Sequence, residues 1–298
     1  MRTVYLGTSH FAVRVLDRLA ASPHKPVLVV TPPDRPRGRG RKLAPPPVAE
    51  AARELGIDLF QTPDVNSDDA RAAIEAVEPE AIAVCQFGQL IKEPLLSHLM
   101  LNVHTSLLPR WRGAAPIERA LMAGDEQTGV TIFRIAAGLD SGPIAIAQAE
   151  PIRPDDTAGT LAERLATLGG ELLVAVLDMA EAGRLELTEQ SDEGATYAGK
   201  VDPGERRLDP SLSATELERQ VRALSPAIGA YLEREEGERL GVSAARLTPE
   251  DVATGELVAQ DGRLLLGTGD GALELLEVTP PGRRPMDAAA YLRGHRMS

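Results

Sequence analysis

Val4-Tyr5-Leu6-Gly7-Thr8-Ser9-His10-Phe11-Ala12-Val13-Arg14-Val15-Leu16-Asp17-Arg18-Leu19 decides the fold. A short apolar run passes through Gly7-Thr8-Ser9 into a segment whose apolar residues fall at helical spacing. Ser9 is placed to cap that helix, because its hydroxyl can accept from first-turn amides. The same step repeats downstream. Val27 to Val30 reads as a buried strand, Val48 to Leu55 and Asp68 to Val77 as helices, and Ala81 to Val84 and Leu99 to Leu101 as further interior strands. Strands alternating with helices imply parallel pairing, hence an α/β, Rossmann-like doubly wound sheet covered on both faces. In such sheets ligands bind beyond the carboxyl ends of the strands.

Val130 to Ile135 and Ile144 to Ala147 continue the strand pattern, and Thr157 opens a long amphipathic helix through Glu181 that Gly183 ends. Asp156 or Thr157 is its expected cap. The composition then turns polar, with turn signals at Asp192-Glu193-Gly194 and Asp202-Pro203-Gly204. This gives a first domain over 1–189, a linker over 190–207 and a second domain over 208–298. In the second domain Ser213 to Ala223 reads as a helix. Glu256 to Ala259, Arg263 to Leu266 and Leu273 to Val278 read as strands of a meander, compatible with a small OB-like β-barrel.

The 298 residues suffice for about two domains, and 43% hydrophobic content supplies a core. With 3% aromatics, that core must be mainly Ala, Val, Leu and Ile. A net charge of -12 argues against a protein that coats nucleic acid with its whole surface, but leaves room for a local basic site. Cys85 is the only cysteine, so neither an intrachain disulfide nor a cysteine-based zinc cluster can form. It lies in the apolar stretch Ala81 to Cys85 and reads as a buried structural thiol. Charged residues from Arg14 onward break any signal-peptide run, and no stretch is long enough to span a membrane. The expectation is a cytoplasmic protein, and nothing in the sequence demands a partner chain. His10, His24, His98 and His295 lack metal-site spacing and read as surface or turn residues; no metal is expected.

Chemistry concentrates in Asn102-Val103-His104-Thr105-Ser106-Leu107-Leu108-Pro109 and Arg110-Trp111-Arg112-Gly113-Ala114-Ala115-Pro116. Extended residues alternate faces, so Asn102 and His104 point the same way at a strand's end. A carboxamide beside an imidazole can hydrogen-bond one carbonyl oxygen; a polar strand end capping its own loop uses the same residues. Asp140, in Gly138-Leu139-Asp140-Ser141-Gly142, offers a carboxylate for acid-base work or, equally, an Asx-turn. A third feature is the basic island Pro33-Asp34-Arg35-Pro36-Arg37-Gly38-Arg39-Gly40-Arg41-Lys42 in an acidic chain. Its Gly and Pro content reads as a loop. Arginine forks suit phosphates, and a solvated loop is the plainer alternative. Gly7 to Ala12 has one glycine where a dinucleotide fingerprint needs three, so NAD is poorly supported. The basic island lacks phosphate-loop spacing.

The Asn102–Pro116 stretch closely resembles the folate-dependent formyltransferases. The likeness begins at Leu6-Gly7-Thr8, returns at Pro33 to Pro36, peaks between Asn102 and Gly142 and reappears at Pro281 to Met286. The arginine loop and the second domain narrow it to the branch that formylates methionyl-tRNA. The resemblance implies transfer of the formyl group of 10-formyltetrahydrofolate, as co-substrate, to the α-amine of methionine on initiator methionyl-tRNA. It assigns Asn102 and His104 to the oxyanion and Asp140 to charging His104 and helping remove the amine proton. It also assigns Ser106, Leu107, Leu108 and Pro109, with Phe87 and Gly88 as another wall, to the folate pocket. Arg35, Arg37, Arg39, Arg41 and Lys42 would hold the tRNA end, Arg39 being the key arginine. Rival readings are an amino-sugar formyltransferase, which needs no RNA grip, a non-catalytic RNA-binding scaffold, and an oxidoreductase.

Overall fold

Every residue of the Val4–Leu6 run is buried, as a strand covered on both faces requires. In the computed structural model, which describes all residues except 38, 39, 41, 235, 236 and 296–298 (and Arg37 by its backbone alone), this run is β1 (Thr3–Gly7). α1 (His10–Ala20) follows. Ser9 accepts from the Ala12 amide at 3.2 Å as expected, and Ala12, Val15, Leu16 and Leu19 form the buried face. Next come β2 (Leu28–Thr31), β3 (Arg35–Arg37), β4 (Lys42–Ala44), α2 (Pro47–Glu54), β5 (Asp58–Gln61), α3 (Asp68–Glu75), β6 (Ala81–Cys85) and β7 (Met100–His104). After them run β8 (Arg112–Gly113), α4 (Pro116–Ala123), β9 (Gln127–Arg134), β10 (Ile144–Pro151) and α5 (Ala158–Glu181).

The main sheet has seven strands in the order β10-β9-β7-β6-β1-β2-β5. β1, β2, β5, β6 and β7 are mutually parallel where they pair, and β9 runs antiparallel to β7. The sheet is therefore mixed, where strand-helix alternation had implied parallel pairing throughout. A parallel return needs a crossover element laid on the sheet. The helix between β7 and β9 is α4, which belongs to a different compact unit. Val4, Leu6, Leu28, Val30, Ile82, Val84 and Met100 line one face with Ile74 of α3. On the other, the Tyr5 hydroxyl donates to the Ala12 carbonyl at 2.6 Å, and α5 comes so close that a Cβ on Gly169 would lie 2.7 Å from Val103 Cγ1.

Chain contacts divide the molecule into two units: Met1–Gly113, Thr128–Glu150 and Ala162–Tyr197 form one, and Ala114–Gln127, Pro151–Leu161 and Ala198–Ser298 the other. Beyond β11 (Tyr197–Ala198), the chain contributes α6 (Ala214–Leu224), β12 (Ala230–Glu233), β13 (Arg239–Thr248), β14 (Leu257–Gln260), β15 (Arg263–Gly267), β16 (Ala272–Thr279), β17 (Met286–Asp287) and α7 (Ala288–Gly294). Ser213 and Glu216 cap α6 reciprocally. Antiparallel pairing follows the path β12-β13-β16-β15-β14, with β17 on β16. Among the described residues this path does not close, so the second sheet is not a closed barrel. Asp261 (φ 50°) and Gly262 (φ 75°) make the two-residue turn between β14 and β15, a geometry that requires positive φ at both positions.

The structure corrects three local readings. The basic loop contains a hairpin, with Arg35 opposite Ala44, Pro36 opposite Leu43 and Arg37 opposite Lys42. Proline is tolerated there because a two-stranded ribbon leaves outward amides unneeded. His24 is not on the surface but fully buried. Its Nε2 lies 2.8 Å from Asp178 Oδ1 and its Nδ1 2.9 Å from the Met1 nitrogen. β13, the longest strand of the second sheet, has no counterpart in the sequence reading. Its Gly, Ser and Ala residues have low strand preference, and irregular register at Val242 to Ala245 breaks the alternation. Among the described residues no helix is long and apolar enough to cross a membrane.

Candidate active site

β6 and β7 lie side by side and parallel, Val84 opposite Asn102, so the loops that follow them leave the same edge together. Asn102 and His104 share the face of the sheet that carries Leu6, Val84 and Met100. Asn102 is half-buried, whereas His104 is buried and meets the ring of Phe133 edge-on at 6.3 Å. The His104 Nε2 is 2.9 Å from the Trp111 carbonyl. A carbonyl only accepts, so Nε2 carries a proton. In the neutral ring the free lone pair is then on Nδ1, which faces Asp140 Oδ2 at 3.7 Å. Burial pushes the imidazole pKa below its ordinary value. The Asp140 charge and the Trp111 hydrogen bond pull it only part of the way back. In the free chain, then, desolvation outweighs the carboxylate and disfavours the charged ring.

Asp140 comes from the turn between β9 and β10. Its backbone is left-handed (φ 46°), a conformation costing a non-glycine residue about 1–3 kcal/mol unless its surroundings hold it. Those surroundings are specific. The Gly113 amide donates to Asp140 Oδ2 at 2.8 Å, and the Gln190 Nε2 donates to the carbonyls of Asp140 (2.9 Å) and Gly142 (2.7 Å). Gly142 packs so tightly that a Cβ would lie 1.9 Å from the Arg134 carbonyl oxygen. Arg112, buried, donates through Nε and Nη2 to Gln190 Oε1 at 3.2 and 3.0 Å, and through Nη1 to the exposed Asp192 at 2.9 Å.

An amide, an imidazole and a carboxylate gathered at the carboxyl edge of a sheet can stabilise an oxyanion and move a proton. A formyl transferase family model matches residues 1–177, and a formyl transferase C-terminal domain model matches 200–296. A methionyl-tRNA formyltransferase of Halorhodospira halophila is 45% identical over 302 residues, covering 99% of this chain and 97% of its own. The chain belongs to the methionyl-tRNA formyltransferase family. A second member, from Methylococcus capsulatus, is 43% identical over 100% of this chain and 98% of its own. The fold is shared with the crystal structure of HypX from Aquifex aeolicus in complex with tetrahydrofolic acid (TM-score 0.70, 20% identity). That match covers 98% of this chain and 47% of the HypX chain, so the enzyme spans about half of it.

The remaining residues picked out by sequence divide by burial. In the enzyme the loop after β7 is held from within: the Ser106 hydroxyl donates to the Arg110 carbonyl (2.6 Å), and Thr131 Oγ1 donates to the Ser106 carbonyl (2.7 Å) and accepts from the Leu108 amide (3.2 Å). Leu108 is buried, while Leu107 and Pro109 are half-buried. The Phe87 side chain lies in the core, and its carbonyl accepts from the Thr8 hydroxyl at 3.0 Å. Of that second wall, Gly88 and Leu90 are exposed. Arg35 and Lys42 are exposed on the hairpin; Arg39 and Arg41 lie outside the described residues, as does the Arg37 side chain. In sequence Gly113 reads only as the glycine that kinks the loop, and neither Gln190 nor the Arg112 side chain carries a signal. Arg112 lies in the Arg110–Pro116 stretch, but a buried guanidinium has no local signature. Gln190 lies 50 residues beyond Asp140 in a polar stretch.

Proposed function

We propose that this site transfers the formyl group of 10-formyltetrahydrofolate to the α-amine of methionine on initiator methionyl-tRNA. The observation that carries the reading is the juxtaposition of His104 Nδ1 and Asp140 Oδ2 at 3.7 Å, on the strand-end face that also bears Asn102, in a chain matched along its whole length by the tRNA enzymes. The amine nitrogen attacks the formyl carbon, and the carbonyl electron pair moves to oxygen. The Asn102 amide donates to that oxyanion; one such donor is typically worth about 10²–10³-fold in rate. With Nε2–H held by the Trp111 carbonyl, Nδ1 is the nitrogen free to take the amine proton, and Asp140 stabilises the imidazolium formed. Collapse of the tetrahedral species re-forms the carbonyl and expels the folate nitrogen, which recovers a proton. Here His104 acts as a base, where resemblance alone has it charged by Asp140, because burial disfavours the charged ring.

The folate would lie along the Ser106–Pro109 loop and the exposed backbone at Gly88, which issue from adjacent strand ends. Arg35, Arg37, Arg39, Arg41 and Lys42 would take the phosphates of the tRNA end. In this reading residues 1–189 carry the chemistry, 190–207 link, and 208–298 provide further tRNA contact on a partial, OB-like barrel. The enzyme would act as a cytoplasmic monomer. The decisive experiment follows labelled formyl from 10-formyltetrahydrofolate to methionine-charged initiator tRNA, with elongator methionyl-tRNA alongside. Transfer to the initiator alone is expected. Transfer to neither tRNA by a protein that still binds folate would overturn the tRNA assignment and direct the search to amino-sugar acceptors.

A further inference from the structure

Residues 111–113 form three consecutive links to the site. The Trp111 carbonyl accepts from the His104 Nε2–H, the Arg112 side chain holds the Gln190 amide, and the Gly113 N–H donates to the Asp140 carboxylate. Gln190 completes the circuit from the other side, because its Nε2 spans the carbonyls of Asp140 and Gly142. The orientation of this amide is determined by its partners. Two carbonyls can only accept and the guanidinium can only donate, so Nε2 must face the loop and Oε1 must face Arg112. Arg112 therefore sets the direction in which Gln190 donates, and Asp192 balances the buried guanidinium.

We propose that Gln190, oriented by Arg112, is a positioning residue for the transfer reaction: it clamps the Asp140 turn in its left-handed conformation so that the carboxylate faces His104. The inference rests on the functional reading above. Among the described residues Asp140 has two hydrogen-bonded anchors, and they hold different parts of it. The Gly113 amide holds the carboxylate, while Gln190 holds the backbone on either side of Ser141. Without Gln190, two turn carbonyls lose their donor and the left-handed residue is free to relax. A turn displaced by about 1 Å at a proton-transfer site can cost on the order of 10²-fold in rate. The clamp's side-chain hydrogen bonds run to Asp140, Gly142 and residues 190–192 and not to the Ser106–Pro109 loop or the hairpin, so it acts on turnover rather than on binding.

The test compares Q190A and R112K with D140N, using kcat and KM for both substrates and the NMR titration of the His104 ring. The titration is assigned by its loss in H104Q. Among the described residues, those facing that ring include Asp140, the Trp111 carbonyl and the apolar edge of Phe133. In D140N the carboxylate that raises the His104 pKa is gone, so the ring titrates at lower pH than in the wild type. Q190A is expected to lower kcat about tenfold to a hundredfold. Each KM should stay within about twofold, and the His104 titration should move toward the D140N value. R112K keeps the charge opposite Asp192 but lacks the two-pronged grip, and should move kcat and titration the same way by less. A wild-type titration in Q190A, whatever its kcat, would overturn the clamp. If Q190A fails to fold, R112K carries the same decision. Near-normal turnover in D140N would instead overturn the functional reading, so the two failures are separable.

Discussion

The Asp140–His104 edge and the β3–β4 hairpin belong to the same compact unit yet are built on opposite principles. At the edge, residues far apart in sequence are tied to one another: His104 to Trp111, Gly113 to Asp140, and Gln190 to both Asp140 and Arg112. The backbone there is forced into left-handed conformations at Trp111 (φ 61°) and Asp140 (φ 46°). The hairpin, by contrast, is a ladder of three residue pairs with Arg35, Pro36, Lys42 and Leu43 exposed. Proton transfer depends on fractions of an ångström and calls for a framework fixed beforehand. Gripping a phosphate backbone, the role proposed for the hairpin, depends on charge and reach, which an exposed cationic ribbon can supply.

The contrast can be broken most sharply at Asp140. D140N keeps the shape and the Gly113 hydrogen bond but removes the charge, so kcat should fall by at least about 100-fold with normal folding and folate binding. Steady-state kinetics with circular dichroism decide this, and near-wild-type turnover would remove the chemical half of the comparison. Replacing Arg35, Arg37, Arg39 and Arg41 together with alanine should raise KM for tRNA at least about tenfold, flatten its salt dependence and leave KM for folate unchanged. A matching loss in folate affinity would show that the two regions are not separable. Paired glycine substitutions sharpen the rigidity argument. A Cβ at Gly142 meets a backbone oxygen, and G142A should lower kcat several-fold. A Cβ at Gly40 meets nothing within 4 Å among the described residues, and G40A should stay within about twofold.

The smallest effect is expected away from both regions. Hydrogen bonds from Thr248 and Arg263 hold the Glu250 carboxyl at about 2, against an ordinary value of 4.5. A depressed pKa means the interaction supports the fold above about pH 4.5 and is lost as the pH falls toward 2. Thermal melts of wild type and E250Q should therefore differ near neutrality and converge at the acid end. A difference undiminished at pH 2 would assign the role of Glu250 to something other than its charge.

What could be read from the sequence follows the range of the interactions involved. β1, α1, β6 and α5 were legible because each shows its periodicity, cap or stop within a few residues: Ser9 caps α1, and Gly183 (φ 66°) follows α5. Asn102 and His104 were legible as a pair because a strand puts alternate residues on one face. The antiparallel β9 was not, because its direction depends on where α4 packs. β13 hides behind an irregular register and small side chains, and His24 behind a turn-like Ser22-Pro23 context although its ring is buried against Asp178. Gln190 and the side chain of Arg112 were illegible for the same reason. Hydrogen bonds spanning 50 and 78 residues leave no local trace in composition or spacing.

Cys85 ends β6 in the core, where burial pushes its thiol up to about 12. Full burial and so high a value disfavour the thiolate that reacts with maleimides. The chain is thus chemically silent toward thiol labels without any engineering. A single L43C substitution on the hairpin, where Leu43 is 71% exposed, would give a probe that reports from the basic ribbon alone.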